Sequence, residues 1–104
     1  MAAPLVSIVI PARNMAPYIA DTLRSTLSQS VRELEVIVID DGSTDDTGDI
    51  VAGIGDPRVQ LVRNPTGQGV SAARNRGSLL STAPYLLYLD ADDLLIEGAL
   101  EALQ

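Results

Sequence analysis

The chain has 104 residues, 46% of them hydrophobic, and a formal net charge of −7, which is enough apolar matter for one small domain with a core and no more. It has no Cys and no His, and its seven basic residues are all Arg. That excludes a disulfide frame, thiolate chemistry, imidazole triads and imidazole metal sites, and equally a Lys Schiff base, a phosphate-loop ATPase and a Lys-dependent phospho-receiver. The acidic balance and only three Tyr as aromatics also exclude a nucleic-acid partner, so an anionic ligand must arrive with a cation.

In chain order, Leu5 to Ile10 is a β-branched apolar run closed by Pro11, which predicts a buried first strand followed by a loop through Ala12, Arg13 and Asn14. Pro17 suits a first helical turn, and Ile19, Thr22, Leu23, Thr26 and Leu27 recur at helical spacing up to Ser30, an amphipathic covering helix. Leu34 to Ile39 is the strongest strand signal, with Asp40 and Asp41 at its carboxyl end and Gly42 permitting a tight turn. Ser43 or Thr44 is expected to cap a second helix that has Asp45 and Asp46 in its first turn and stops at Gly53. Val59 to Val62, flanked by Arg58 and Arg63, reads as an edge strand. A loop over 64–69 leads to a third helix from Val70 to Ser81, and Tyr85 to Leu89 reads as a fourth strand covered on both faces, with a helix from Leu94 to Leu103 after it. Strands alternating with helices predict an α/β fold, a three-layer doubly wound and mostly parallel sheet of about four strands over residues 1–104.

In such a sheet ligands gather at the carboxyl ends of the strands. Here those ends carry Pro11, then Asp40 and Asp41, then Asp90, Asp92 and Asp93. Asp90 and Asp92 share a side if the chain stays extended, and read either as ligands of a hard cation or as caps of the following helix. Two adjacent acids at 40 and 41 exceed what one cap needs, and one of them can accept from a base N–H or a ribose hydroxyl. Gly67, Gly69 and Ala72 fit a dinucleotide fingerprint, although the loop follows the third strand instead of the first. Asp90 and Asp92 also fit the opening of aspartyl phosphohydrolases, which carry Gly and Thr where this chain has Asp93 and Leu94. Arg74 and Arg76 are expected to be solvated or paired with carboxylates.

Four stretches, VSIVIPARN at 6–14, VIVIDDGSTDDT at 36–47, GVSAARNRG at 69–77 and YLLYLDADD at 85–93, together resemble the nucleotide-sugar-binding half of family 2 glycosyltransferases of the GT-A fold. The resemblance implies that Pro11 and Arg13 line a nucleoside pocket, that Asp41 binds the base with Asp40 close by, and that Asp90 and Asp92 form the D-x-D signature. Asp92 is then the direct ligand of Mn²⁺ or Mg²⁺, and Asp90 lies near ribose and metal. It also implies a nucleoside-diphosphate sugar as donor, a UDP- or dTDP-sugar being the commonest, and inverting transfer to an acceptor hydroxyl. The general base belongs downstream of D-x-D in this family, so no catalytic base is assigned.

Members of that family are typically more than twice this length, so the sequence reads as a donor-binding half without the acceptor half, whose fourth strand has an apolar edge that invites a homodimer. Other readings of the same residues are a non-catalytic binding or assembly module that kept the fold, and a dinucleotide-binding Rossmann domain. No apolar run approaches the roughly 18 residues of a membrane span, and the first residues lack a charged leader. The expectation is a cytoplasmic domain, with any peripheral membrane association supplied by other sequence.

Overall fold

A computed structural model describes residues 3–103. Seven main elements alternate as expected: β1 (Val6–Ala12), α1 (Ile19–Leu27), β2 (Leu34–Asp41), α2 (Thr47–Ala52), β3 (Val59–Asn64), α3 (Val70–Leu80) and β4 (Tyr85–Tyr88). The strands form one sheet in the order β3-β2-β1-β4, and every neighbouring pair is parallel. This is the α/β architecture that the alternation predicts.

Burial follows from the order. Val36, Ile37, Val38 and Ile39 on β2 and Ile8, Val9 and Ile10 on β1 are fully buried, because these central strands are covered on both faces. Val6, Ile8, Ile10, Val36 and Val38 pack with Ile19 and Leu23 of α1 and with Val51 of α2, whereas Ile37 and Ile39 pack with Ala73 of α3. On α1 the buried stripe is Ile19, Thr22, Leu23 and Thr26, the spacing that one helix face requires. On the far face Gly77 of α3 meets Val9 so closely that a Cβ would stand 3.0 Å from Val9 Cγ2 and nearer still to Cγ1. The edge strand β3 is tamed by charge: Arg58 pairs with Asp56 at 2.9 Å and Arg63 with Asp49 at 3.2 Å.

Three of the four strands differ from expectation in the same direction. β1 runs through Pro11 to Ala12, β2 through Asp40 and Asp41, and β3 through Arg63 and Asn64, because parallel pairing continues after the apolar run stops. Residues 6–12 pair in step with 34–40, and Asp40 and Asp41 pair with Arg63 and Asn64. Pro11 is therefore inside a central strand. It pairs with Ile39 on the β2 side, while on the other side the ladder with β4 ends at Val9 opposite Tyr88, where the Leu89 N–H reaches the Val9 carbonyl.

Two helical expectations are corrected. The helix expected over Leu94–Leu103 is absent; only a short 3₁₀ turn, Glu101–Leu103, forms there. Gly98 at φ 82 interrupts the chain, and the N–H groups of Leu95 and Leu100 are taken by side chains of Ser25 and Gln29. Nor do Ser43 and Thr44 cap α2. Ser43 Oγ accepts from the Asn14 N–H, the Thr44 N–H donates to Asn14 Oδ1, and α2 begins only at Thr47, whose N–H and hydroxyl donate to Asp45. β4 lies at the sheet edge, as expected of a fourth strand with no further neighbour, but it is not covered on both faces: Tyr85, Leu86 and Tyr88 are exposed. Among the described residues no helix is long and apolar enough to cross a membrane.

Candidate functional site

The strand order reverses direction at β1: the chain goes from β1 outward to β2 and β3, and returns to the other side of β1 for β4. A crevice opens at the carboxyl end of such a switch point. It is a cleft of about 400 Å³ whose lining includes Pro11, Arg13, Met15, Asp41, Gly69, Val70, Ala73, Asp90 and Asp92. Pro11, Arg13, Asp41, Asp90 and Asp92, the candidate donor and metal residues, thus line one cavity, with Gly69 beside them. Asp40 does not. Successive strand residues face opposite ways, so Asp41 is on the α3 face while Asp40 lies under α2, where Ser43 N–H reaches its Oδ1 and a Cβ on Gly48 would stand 2.5 Å from its Oδ2.

Asp41 is almost fully buried and heavily bonded. Its Oδ1 accepts from Asn64 Nδ2 at 2.8 Å and from the Gln68 N–H at 2.9 Å, and its Oδ2 accepts from the Gly69 N–H at 2.9 Å. Burial pushes its pKa up, but the Asn64 bond, the two backbone N–H groups and the Arg13 charge together outweigh that and hold it below the ordinary value of 3.8. A carboxylate has about four acceptor positions, so Oδ2 keeps one for a donor in the cleft. The same bonds tie the 64–69 loop and the start of α3 to β2. The Gln68 and Gly69 amides that a dinucleotide fingerprint would offer to a pyrophosphate are already held by Asp41.

Opposite this anchor the turn after β4 gathers three exposed carboxylates. One oxygen from each of Asp90, Asp92 and Asp93 lies within 4.8 Å of the others, a charge density that favours a hard divalent cation with oxygen ligands. The only cation on them among the described residues is Arg74, 3.3 Å from Asp90 Oδ1 and stacked 5.9 Å from the Tyr88 ring centre. Both partners are substantially exposed, so the pair is weak. Carboxylate oxygens are the donor type that Mn²⁺ or Mg²⁺ would take. Arg76 bonds Asn64 Oδ1 instead of a carboxylate.

Asn14 and Asn64 were not legible beforehand as parts of this site, and Gly42, expected to permit a tight turn, does more than that. Asn14 holds φ 54, and its Oδ1 accepts from Thr44 N–H at 2.8 Å and Asp45 N–H at 3.3 Å, clamping the two loops beside the cleft. An Asn directly after a strand is the available signal, since Asn tolerates the left-handed region. Gly42, at φ 74, allows the β2 loop to touch the backbone at Gly67, where a Cβ would meet the amide nitrogen at 2.5 Å. Asn64 gave no signal of its own. A second cleft of about 390 Å³ at the opposite end of the sheet, around Arg32, Glu35 and Arg58, holds charges already partnered in part: Arg58 with Asp56, and Glu35 with Ser7 and Thr82.

The depressed carboxyls set an acid limit. Asp41 is joined by Asp56, lowered chiefly by its bond to Arg58, and by Asp45, lowered chiefly by Thr47. Groups whose folded pKa lies below the unfolded value near 3.8 contribute stability that is complete above that value and is lost as pH falls through it toward the folded pKa. Urea midpoints are expected to be flat from neutral pH to about 5 and to drop below about 4. The drop should be shallower in Asp56→Asn; equal slopes would refute the assignment.

Residues 7–104 match the family model for glycosyl transferase family 2. The UDP-Glc:alpha-D-GlcNAc-diphosphoundecaprenol beta-1,3-glucosyltransferase of Escherichia coli is 42% identical over 89 residues, covering 86% of this chain and 36% of that protein. A crystal structure of S. aureus TarS in complex with UDP-GlcNAc aligns with a TM-score of 0.88 and 28% identity over 94% of this chain and 29% of its own. The mannosyltransferase PcManGT of Pyrobaculum calidifontis, in complex with GDP-Man and Mn²⁺, aligns with a TM-score of 0.85 and 29% identity, covering 96% of this chain and 31% of its own. The chain spans little more than a third of the first relative and less than a third of each solved chain. From its match over residues 7–104 and these relatives, the chain belongs to glycosyl transferase family 2.

Proposed function

We propose that the chain is the donor-binding half of an inverting glycosyltransferase, holding a nucleoside-diphosphate sugar together with Mn²⁺ or Mg²⁺ for transfer to an acceptor hydroxyl. The observation that carries this reading is the single cleft lined by both Asp41 and Asp92. Asp41 keeps one acceptor position for an N–H of the base, Pro11 and Arg13 flank it, and Asp90 and Asp92 stand where ribose and diphosphate would follow. A uridine or thymidine donor suits a carboxylate that needs an N–H partner. That related structures are complexes with UDP-GlcNAc and with GDP-Man and Mn²⁺ supports a nucleotide sugar, accompanied by a divalent ion, as the ligand class.

Under this reading Asp92 and Asp90 would hold the cation, which when bound supplies positive charge against the diphosphate leaving C1 of the sugar. The chain's own residues orient the donor: Asp41 fixes the base, and the 64–69 loop that Asp41 anchors shapes the wall beside it. Cytoplasmic placement is part of the proposal. In a thermal-shift assay, UDP or GDP is expected to raise Tm by several degrees only when Mn²⁺ is present, and Asp92→Asn should erase the shift. Equal stabilisation with and without metal would remove the cation from the reading.

A further inference from the structure

The carboxylate turn has almost no backbone structure of its own. Between Asp90 and Leu100 the backbone bonds outside regular elements are Asp93 N–H to the Asp90 carbonyl and Ala99 N–H to the Ile96 carbonyl. A loop with so few internal bonds needs other partners to hold one shape. They come from one polar face of α1 and the turn after it. Thr22 Oγ1 donates to the Ala91 carbonyl at 2.8 Å, a buried bond at the residue between Asp90 and Asp92. Ser25 Oγ accepts from the Leu95 N–H at 3.0 Å. Gln29 spans the rest, with Nε2 donating to the Ile96 carbonyl at 2.9 Å and Oε1 accepting from the Leu100 N–H at 3.3 Å.

Thr22, Ser25 and Gln29 lie three and four residues apart, the spacing that puts side chains on one helix face. Thr22 and Gln29 are buried although polar, and a buried polar side chain without a partner is costly. Each has a partner on the same segment, 67 to 71 residues away along the chain, beside a longer bond back to α1 itself, from Thr22 to the Tyr18 carbonyl and from Gln29 to the Ser25 carbonyl. Van der Waals packing alone would bury apolar residues here; hydrogen bonds instead fix direction, because each bond constrains an angle as well as a distance.

We infer that Thr22, Ser25 and Gln29 are positioning residues, a polar staple on α1 and the turn after it that sets where the Asp90, Asp92 and Asp93 carboxylates stand and so sets cation affinity. The inference rests on the cation reading proposed above. Groups that orient metal ligands without touching the metal change affinity by about 10- to 100-fold when removed. The staple is the corresponding set here, acting through the backbone on both sides of Asp92.

The test counts free Mn²⁺ by its EPR signal as the intact protein is titrated with MnCl₂, alone and with UDP or GDP present. Thr22→Val, which keeps the shape and removes the hydroxyl, and Gln29→Leu are each expected to weaken Mn²⁺ binding about tenfold, while Thr22→Ser stays within about twofold of the wild type. Hydrogen exchange of the metal-free protein should rise over 89–100 in the first two variants and not in the third. Should Thr22→Val fail to fold, Ser25→Ala removes only a half-buried hydroxyl and should shift both readouts the same way. Wild-type Mn²⁺ affinity in folded Thr22→Val and Gln29→Leu overturns the staple and leaves the cation reading standing, as does a Thr22→Ser protein as weak as Thr22→Val. A wild-type protein that binds no Mn²⁺ under any condition overturns both.

Discussion

Asp41→Ala is expected to destabilise the fold by about 3 kcal/mol and to abolish nucleotide binding. The substitution strips three donors at once: Asn64 Nδ2, which is buried, and the Gln68 and Gly69 N–H groups, which are nearer solvent. An abandoned buried donor costs about 1–3 kcal/mol, and one that water can reach costs less, so the Asn64 amide dominates the sum. With the anchor gone, the 64–69 loop and the first turn of α3 lose their tie to β2, and that wall of the cleft goes with them. Asp41→Asn separates scaffold from recognition. It keeps the volume but presents an NH₂ group to one of the existing donors, which should cost about 1–2 kcal/mol and still leave a folded protein that no longer accepts a base N–H. Urea denaturation followed by circular dichroism gives the first number, and UDP titration with Mn²⁺ gives the second. Wild-type affinity in Asp41→Asn would remove Asp41 from base recognition, and wild-type stability in Asp41→Ala would remove it as the loop's anchor.

The second large effect is expected at Gly77 on α3, which carries no side chain of its own. Alanine is the better helix former by about 1 kcal/mol, so propensity alone predicts a stabilised protein. Packing predicts the reverse. The added methyl would overlap the Val9 side chain, which is fully buried on a central strand and has no room to retreat. Overpacking of this kind costs about 1–3 kcal/mol, and with contact this close the upper end should win, leaving a net loss of about 2 kcal/mol after the propensity gain. The loss should extend to ligand binding, because α3 can relieve the clash only by moving outward with Val70 and Ala73, which line the cleft. A double-mutant cycle decides it. Gly77→Ala combined with Val9→Ala should be more stable than the sum of the single losses by at least about 1 kcal/mol. Additive losses would mean that the clash is not the cause.

These two positions show how unevenly the sequence spoke. The apolar runs 34–39 and 85–88 and the helical stripe Ile19, Thr22, Leu23, Thr26 revealed element type and order, because burial on one or two faces leaves a periodic trace. The strand ends were harder to read: Asp40, Asp41 and Asn64 belong to the sheet by pairing, and polarity hid them. Asp41 and Asp92 were legible as candidates because acids cluster at strand ends, and the family resemblance preferred Asp41, yet nothing in the local sequence distinguished it from Asp40; the alternation of a strand that continues past Ile39 supplies the physical reason they part. The missing helix after Asp93 has a similar origin. Leu94 to Leu103 has residues that suit a helix, but Gly98 in the left-handed region and partners more than sixty residues away, on α1 and the turn after it, decided its shape.

Pro11 bears differently on the site from all of these. A parallel ladder that reaches Val9 and Tyr88 would take its next rung from the N–H of residue 11 to the carbonyl of Leu89, and proline has no such hydrogen. β1 and β4 therefore unzip just where Asp90 begins, while β1 stays fastened to β2 on its other side. The mouth of the cleft is held ajar by an omitted hydrogen bond, a kind of opening that repacking of side chains cannot close.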